Sequence, residues 1–265
     1  MDRNRFKAQI PRLLLALLVL MSLRCVLEAQ FGPLLSPAQA PQARSQEELD
    51  AYLTITTATE AHEVVKAADS FASRFPKSEL AGIAYQYQMR AFEQLDDFDG
   101  MLAAGERALL ANPDNLNTLL TLAPAMANRA VQRPDSASLL ARAEDYAHRA
   151  LQGIERTQIP GKIPLEHWEL EKQEMQSEAH EALGVVALRR GQSKTAVEEF
   201  QTAIRLAPNA QGVKFLGLGM AYASTGAREN AEKALRRAVE LGPEPVRKLG
   251  LNELEKLNSK ESARK

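Results

Sequence analysis

The chain has 265 residues, and Lys+Arg 33 against Asp+Glu 34 leave a net charge of −1. That balance, with no basic stripe interleaved by aromatics, excludes the electrostatic footprint of a nucleic-acid reader. A composition of 45% hydrophobic but only 5% aromatic residues suits all-α packing through small side chains, and the length alone allows one or two domains.

Arg3, Arg5, Lys7 and Arg12 precede an apolar run of eleven residues, 13–23. A basic start followed by a short apolar run reads as an export signal, too short to span a bilayer comfortably. The signal is placed at 1–29 with cleavage after Ala29, although Leu27 is large for that role. Ala38-Gln39-Ala40 is blocked by Pro41, and a retained N-terminal anchor is the alternative. Cys25 is the only cysteine, and Arg24 before it argues against lipidation. On this reading Cys25 leaves with the signal and no disulfide can form. The expected location is exported, periplasmic or envelope-associated, in a bacterium.

Residues 30–44, with Pro33, Pro37 and Pro41, read as a flexible polar linker. Ser45 and Glu48 form a capping box that opens a first unit, 45–76, with helices near 46–56 and 60–75. A second unit, 77–114, carries Tyr85, Met89 and Phe92, an Asp96-Asp97 turn, then Phe98, Met101 and Ala108 before Pro113. A third, 115–156, turns Leu119, Leu122, Ala123 and Met126 inward against Ala143, Ala147 and Ala150, and Pro124 is expected to kink its first helix. An insertion over 152–164 contains Pro160-Gly161, a type II turn signal.

The helix predicted near 165–190 exceeds what a hairpin requires. Leu165, Trp168, Met175, Ala179 and Ala182 make a broken apolar stripe on it. Glu166, Glu169, Glu171, Glu174, Glu178 and Glu181 give it a side expected to be solvated. Trp168 is expected against the third unit, an exposed anchor for a partner being the alternative.

Units 165–210 and 211–244 repeat one pattern. Gly184, Gly191, Ala196, Phe200, Ala203 and Pro208 recur as Gly219, Gly226, Ala231, Leu235, Ala238 and Pro243, each step 35 residues. Self-similarity at such a period marks a solenoid. Gly191 and Gly226 stand where a helix C-terminus takes positive φ, and Pro208 and Pro243 cannot continue a helix. Gly184 with Ala203, and Gly219 with Ala238, are expected to mark tight helix crossings. Met89 replaces that glycine in the second unit, which predicts a wider crossing there. Val246, Leu249, Leu251, Leu254 and Leu257 make a capping helix, 245–258, before a polar tail, 259–265.

Leu183–Gly184, Ala196, Phe200, Ala203 and Pro208, with Leu218–Gly219, Tyr222, Ala231, Ala238 and Pro243, resemble the tetratricopeptide repeat family. The resemblance implies an all-α solenoid of about five antiparallel helix pairs, whose first helices line a concave groove for a peptide or helix of another protein. Carried onto this chain, the groove candidates are Gln86, Arg90, Asn117, Leu120, Asn128, Glu178, Glu181, Arg189 and Met220. Some members grip a C-terminal carboxylate with Lys and Asn; Glu178 and Glu181 have the wrong charge for that. More locally, Phe71 through Phe75-Pro76-Lys77-Ser78 and residues 84–92 are similar to the opening repeat of the outer-membrane β-barrel assembly lipoproteins. That similarity implies a link to outer-membrane protein assembly.

Catalytic groupings are not evident. His62, His148, His167 and His180 fall in different predicted helices, with no pair four residues apart as a zinc site would have. Gly217-Leu218-Gly219 lies inside a predicted helix without a preceding strand, so it is not a phosphate loop. His180 reads as a packing residue. The expectation is no enzyme, no cofactor and no metal. The partner is another protein or peptide, with membrane contact only through an uncleaved N-terminal segment. A homo-oligomer through the long helix or the solenoid end stays open, as does a regulatory repeat module attached to an enzyme activity.

Overall fold

The structure is a computed structural model that describes residues 41–131, 133–157, 164–207 and 209–262. The signal, Cys25, the Pro160-Gly161 turn and Pro208 lie outside the described residues. Among those described there are eleven α-helices and no strand, so the expected all-α solenoid is the observed fold. Its units pair α1 (Gln46–Thr57) with α2 (Ala61–Arg74), α3 (Ala81–Gln94) with α4 (Phe98–Ala111), and α5 (Leu116–Arg129) with α6 (Ser136–Arg156). Then α7 (Leu165–Arg189) pairs with α8 (Ser193–Leu206), α9 (Gly212–Thr225) with α10 (Arg228–Leu241), and α11 (Glu244–Ser262) closes the end. The closing helix runs to Ser262, into the stretch expected to be tail. No described helix is long and apolar enough to cross a membrane.

Local signals account for the helix ends. Ser45 accepts the Glu48 N–H at 3.1 Å, Asp97 that of Gly100 at 2.9 Å and Asn115 that of Thr118 at 3.0 Å, each satisfying an orphan donor of a first turn. The Glu48 carboxylate reaches one residue further back than a simple capping box, taking the Arg44 N–H at 2.5 Å. Burial pushes that carboxyl up, but the Ser78 hydroxyl and the Arg44 and Ser45 groups outweigh it and hold it below the usual range. Gly191 and Gly226 adopt φ of 73° and 81°, and Asp96 takes the equivalent left-handed place at 55°. The α5 helix runs through Pro124 as one element.

The tight crossings differ from the predicted pairs. A Cβ on Gly184 would stand 3.0 Å from the Phe200 ring, and one on Gly219 would stand 2.6 Å from Leu235 Cγ. The large side chain of the return helix thus fills the space each glycine leaves. Ala203 and Ala238 meet the first helix two turns earlier: Ser177 Oγ donates to the Ala203 carbonyl at 2.8 Å, and a Cβ on Gly212 would lie 2.9 Å from the Ala238 carbonyl. The reason is geometric: in an antiparallel pair, moving forward on one helix moves backward on its partner.

The crossing at Met89 does not follow the wider-spacing argument. A Cβ on Gly105 of the return helix would fall 2.9 Å from Met89 Sδ, so the small residue has changed sides. In the third unit Gly153 faces Leu116 in the same inverted sense, 2.6 Å from Leu116 Cδ2 by the same measure.

Successive first helices touch (α1 with α3, α5 with α7, α7 with α9, α9 with α11), whereas no successive pair of second helices packs to a comparable extent among the described residues. The stack therefore bends toward the first-helix side. Between the second and third units the first helices α3 and α5 stand further apart than elsewhere. Trp168 is 2% exposed and shares a core with Leu116, Leu119, Ala150 and Ile154, which places it against the third unit as expected.

Candidate functional site

The first-helix face carries the groove candidates, and burial divides them. Arg90, Asn128, Glu178 and Arg189 are exposed, and Gln86, Asn117 and Met220 are half-buried. Leu120 is a correction: at 7% exposure it belongs to the core with Leu116, Leu119 and Leu122, because its side of α5 turns inward. Met220 leans on the core formed by Leu216, Leu235 and Ala238. The repeat residues Ala196, Phe200, Ala203, Gly219, Ala231 and Ala238 are buried, Tyr222 is half-buried and Pro243 is exposed ahead of α11. The Tyr222 hydroxyl accepts from Gln201 Nε2 at 2.7 Å, tying α9 to α8.

One buried charged residue lies outside the set predicted from the sequence. Lys214 of α9 is 2% exposed, and its Nζ lies 3.1 Å from Glu181 Oε2 and 3.8 Å from Glu174 Oε1 of α7. Equivalent positions of the other units hold Ala84, Thr118 and Ala179, all buried. A lysine where the repeat wants a small side chain was the signal available in the sequence. The long side chain reaches back to the preceding first helix, so α7 and α9 are joined by charge as well as by packing.

The acidic side of α7 is therefore not one solvated face. Glu166, Glu169 and Glu171 are exposed, but Glu181 is largely covered by its contact with Lys214. Desolvation pushes the Glu178 carboxyl above its ordinary range; Glu174 and Glu181 add to that and Lys214 opposes it. His180 pairs its Nδ1 with Glu199 Oε2 of α8 at 2.6 Å, a half-buried link across the hairpin. Gly217 has its missing Cβ filled by the Phe200 ring of the preceding unit, a packing role. Among the described residues, no three His, Cys, Asp or Glu side chains are grouped to hold a metal ion.

Antiparallel helix pairs stacked with their first helices in contact define an α-solenoid. Residues 215–245, most of α9 and α10 and the start of α11, match the family model of the tetratricopeptide repeat. Among solved structures, the chain is similar to the assembly chaperone of RpL4 (Acl4, residues 1-338), at 17% identity and TM-score 0.57 over 82% of this chain and 86% of that one. Weaker superpositions are found with MamA (20% identity, TM-score 0.27, 61% of this chain and 91% of that one) and with YrrB, a TPR protein with an unusual peptide-binding site (15%, 0.28, 71% and 99%). No curated protein sequence matches the chain.

Proposed function

We propose that this chain is an exported protein-interaction scaffold of the bacterial cell envelope, which receives a peptide or helix of a partner on its first-helix face. The observation that supports the reading is that most successive first helices touch one another while second helices do not among the described residues, and that exposed Arg90, Asn128, Glu178 and Arg189 all lie on first helices. Mixed charge and amide side chains over a buried apolar layer suit polypeptide recognition. Export is supported by the basic start and the apolar run over residues 13–23.

Photo-crosslinking residues at Asn128 and Arg189, compared with one at exposed Glu198 on α8, test the face in the native envelope. Adducts from the first two positions alone are expected; adducts from all three, or from none, would count against it. The mass of the mature N-terminus tests export. A chain beginning at Gln30 is expected, whereas an acylated Cys25 would favour the assembly-lipoprotein relationship instead.

A further inference from the structure

A second surface lies at the rim of the solenoid, where α3 and α5 stand apart. A cleft of about 790 Å³ opens there between the turn before α3, the turn before α5 and the C-terminal end of α6. Its third wall is the C-terminal end of α6, which has 21 residues where α2, α4, α8 and α10 have 14 each, so that its last turn adds Arg156 to the wall. The overhang is fixed from behind by the matching extension of α7. Ile154 and Trp168 share a core, and Glu155 takes Lys172 at 3.1 Å and Gln176 at 2.7 Å. Gln152 and Arg156 are thereby held over the cleft.

The volume falls in the range of about 300–1,000 Å³ found for small-ligand sites, but the lining is not the apolar one those sites usually have. Only Pro41, Ile83 and Ala111 bring apolar side chains to it. The polar lining consists largely of donors. Lys77, from the turn before α3, and Arg156, from the end of α6, both line the cleft, and neither makes an ion pair among the described residues. Arg149 is held in place by the Pro113 carbonyl at 2.6 Å and by Asp145 at 3.3 Å. Asn115, 3% exposed, spends its side-chain oxygen on Thr118, and its amide nitrogen donates to no described residue. Of the two lining carboxylates, Glu79 is drawn off to Arg44 at 3.2 Å, leaving Asp114.

We propose that this rim cleft binds an acidic polypeptide segment, its carboxylates held between Lys77, Arg149 and Arg156 and its backbone by Asn115 and neighbouring amides. Charge-assisted donors converging on one space call for an acceptor-rich anion. A cleft of this size with several amides suits a peptide better than a lone ion. No aromatic side chain lines it to stack a base, which disfavours nucleic acid. The site is separate from the first-helix groove except at Gln86, so it does not depend on that groove being occupied. It also gives the overhanging α6–α7 hairpin a role beyond stacking.

The test is fluorescence anisotropy on the full chain with a labelled, end-blocked peptide of alternating Glu and Ser, beside its Gln counterpart. The Glu peptide is expected to bind at least about tenfold more tightly, with Lys77→Glu and Arg156→Glu each weakening it by about tenfold or more. Asp114→Asn should tighten binding, while Arg90→Glu and Arg189→Glu in the groove leave it unchanged. Lys77 and Arg156 are exposed, and circular dichroism melts confirm that the variants remain folded. Equal binding of the Gln peptide, or indifference to both rim substitutions, would overturn the proposal. So would loss through the groove substitutions alone, or displacement by inorganic phosphate as effective as by unlabelled Glu peptide at matched ionic strength.

Discussion

Replacing Lys214 by Met tests the charge joint between the fourth and fifth units. The substitution keeps the length and apolar stem of the side chain but removes its ammonium, leaving Glu181 covered and without its 3.1 Å partner. Breaking a buried pair from one side costs about 3–5 kcal/mol. Glu174 keeps 38% of its side-chain surface and its water, so the lower end, about 3 kcal/mol, applies here. For a cooperative unit of this size that is a fall of roughly 6–12 °C in the melting midpoint. Solenoids can unfold unit by unit, so a local probe is preferable. Trp168 is the only tryptophan and lies on α7 itself, and its fluorescence in a urea titration reports that part of the stack. Adding Glu181→Gln to Lys214→Met should recover much of the loss, because the uncompensated carboxylate is what costs stability. A Lys214→Met chain as stable as the parent, or a double variant no better than the single, would refute the reasoning.

Three further outcomes follow from the geometry. Gly217→Ala places a Cβ 2.3 Å from Phe200 Cζ, and overpacking of about 1–3 kcal/mol should exceed the gain of about 1 kcal/mol in helix propensity; a raised thermal midpoint would contradict the assignment. Asp96→Gly releases a left-handed backbone worth about 1–2 kcal/mol and gives up an exposed pair with Arg129 worth less than about 1 kcal/mol, so the melt should rise slightly rather than fall. Glu48 and Glu178 should respond to pH with opposite signs. The depressed Glu48 carboxyl contributes stability that is complete above its ordinary value of 4.5 and lost as pH falls through its lower folded value. Glu48→Gln is therefore destabilising at neutral pH and near neutral in acid. The raised Glu178 carboxyl binds more protons folded than unfolded, so stability falls as pH rises from 4.5 to its folded value. Glu178→Gln should then stabilise at neutral pH and have no effect below 4.5, as read from denaturation midpoints across pH.

The parts of the fold legible in the sequence are those written within one helix or one repeat. Gly191 and Gly226 were readable because a left-handed C-terminus is a local demand. The step of 35 residues between the copies was readable because each hairpin meets the next in the same way. Partners across a crossing were not. Gly184 and Ala203 are both small and in phase, yet the contacts pair Gly184 with Phe200 and Ala203 with Ser177. Composition at a position says that space is short there, not which side chain fills it. Gly105 and Met89 carry the same lesson: the small residue belongs to the pair of helices, and either helix can supply it.

The same reasoning separates the groove from the rim. Groove candidates were reachable by carrying positions over from a repeat pattern, and one of them, Leu120, failed because a helix face cannot be both an inner surface and a core. The rim cleft had no such route. Lys77, Asn115 and Arg156 lie in three different turns or helix ends, brought together only because α6 overruns its partners and α3 stands off from α5. Its one readable sign was the excess length of the hairpin over residues 136–189, a departure from the repeat. In a stack where every unit has the same packing problem, the segment that breaks the period is free to hold chemistry that the repeating positions cannot. Lys214 breaks the pattern within a unit and joins two helices; the α6–α7 overhang breaks it between units and builds a wall.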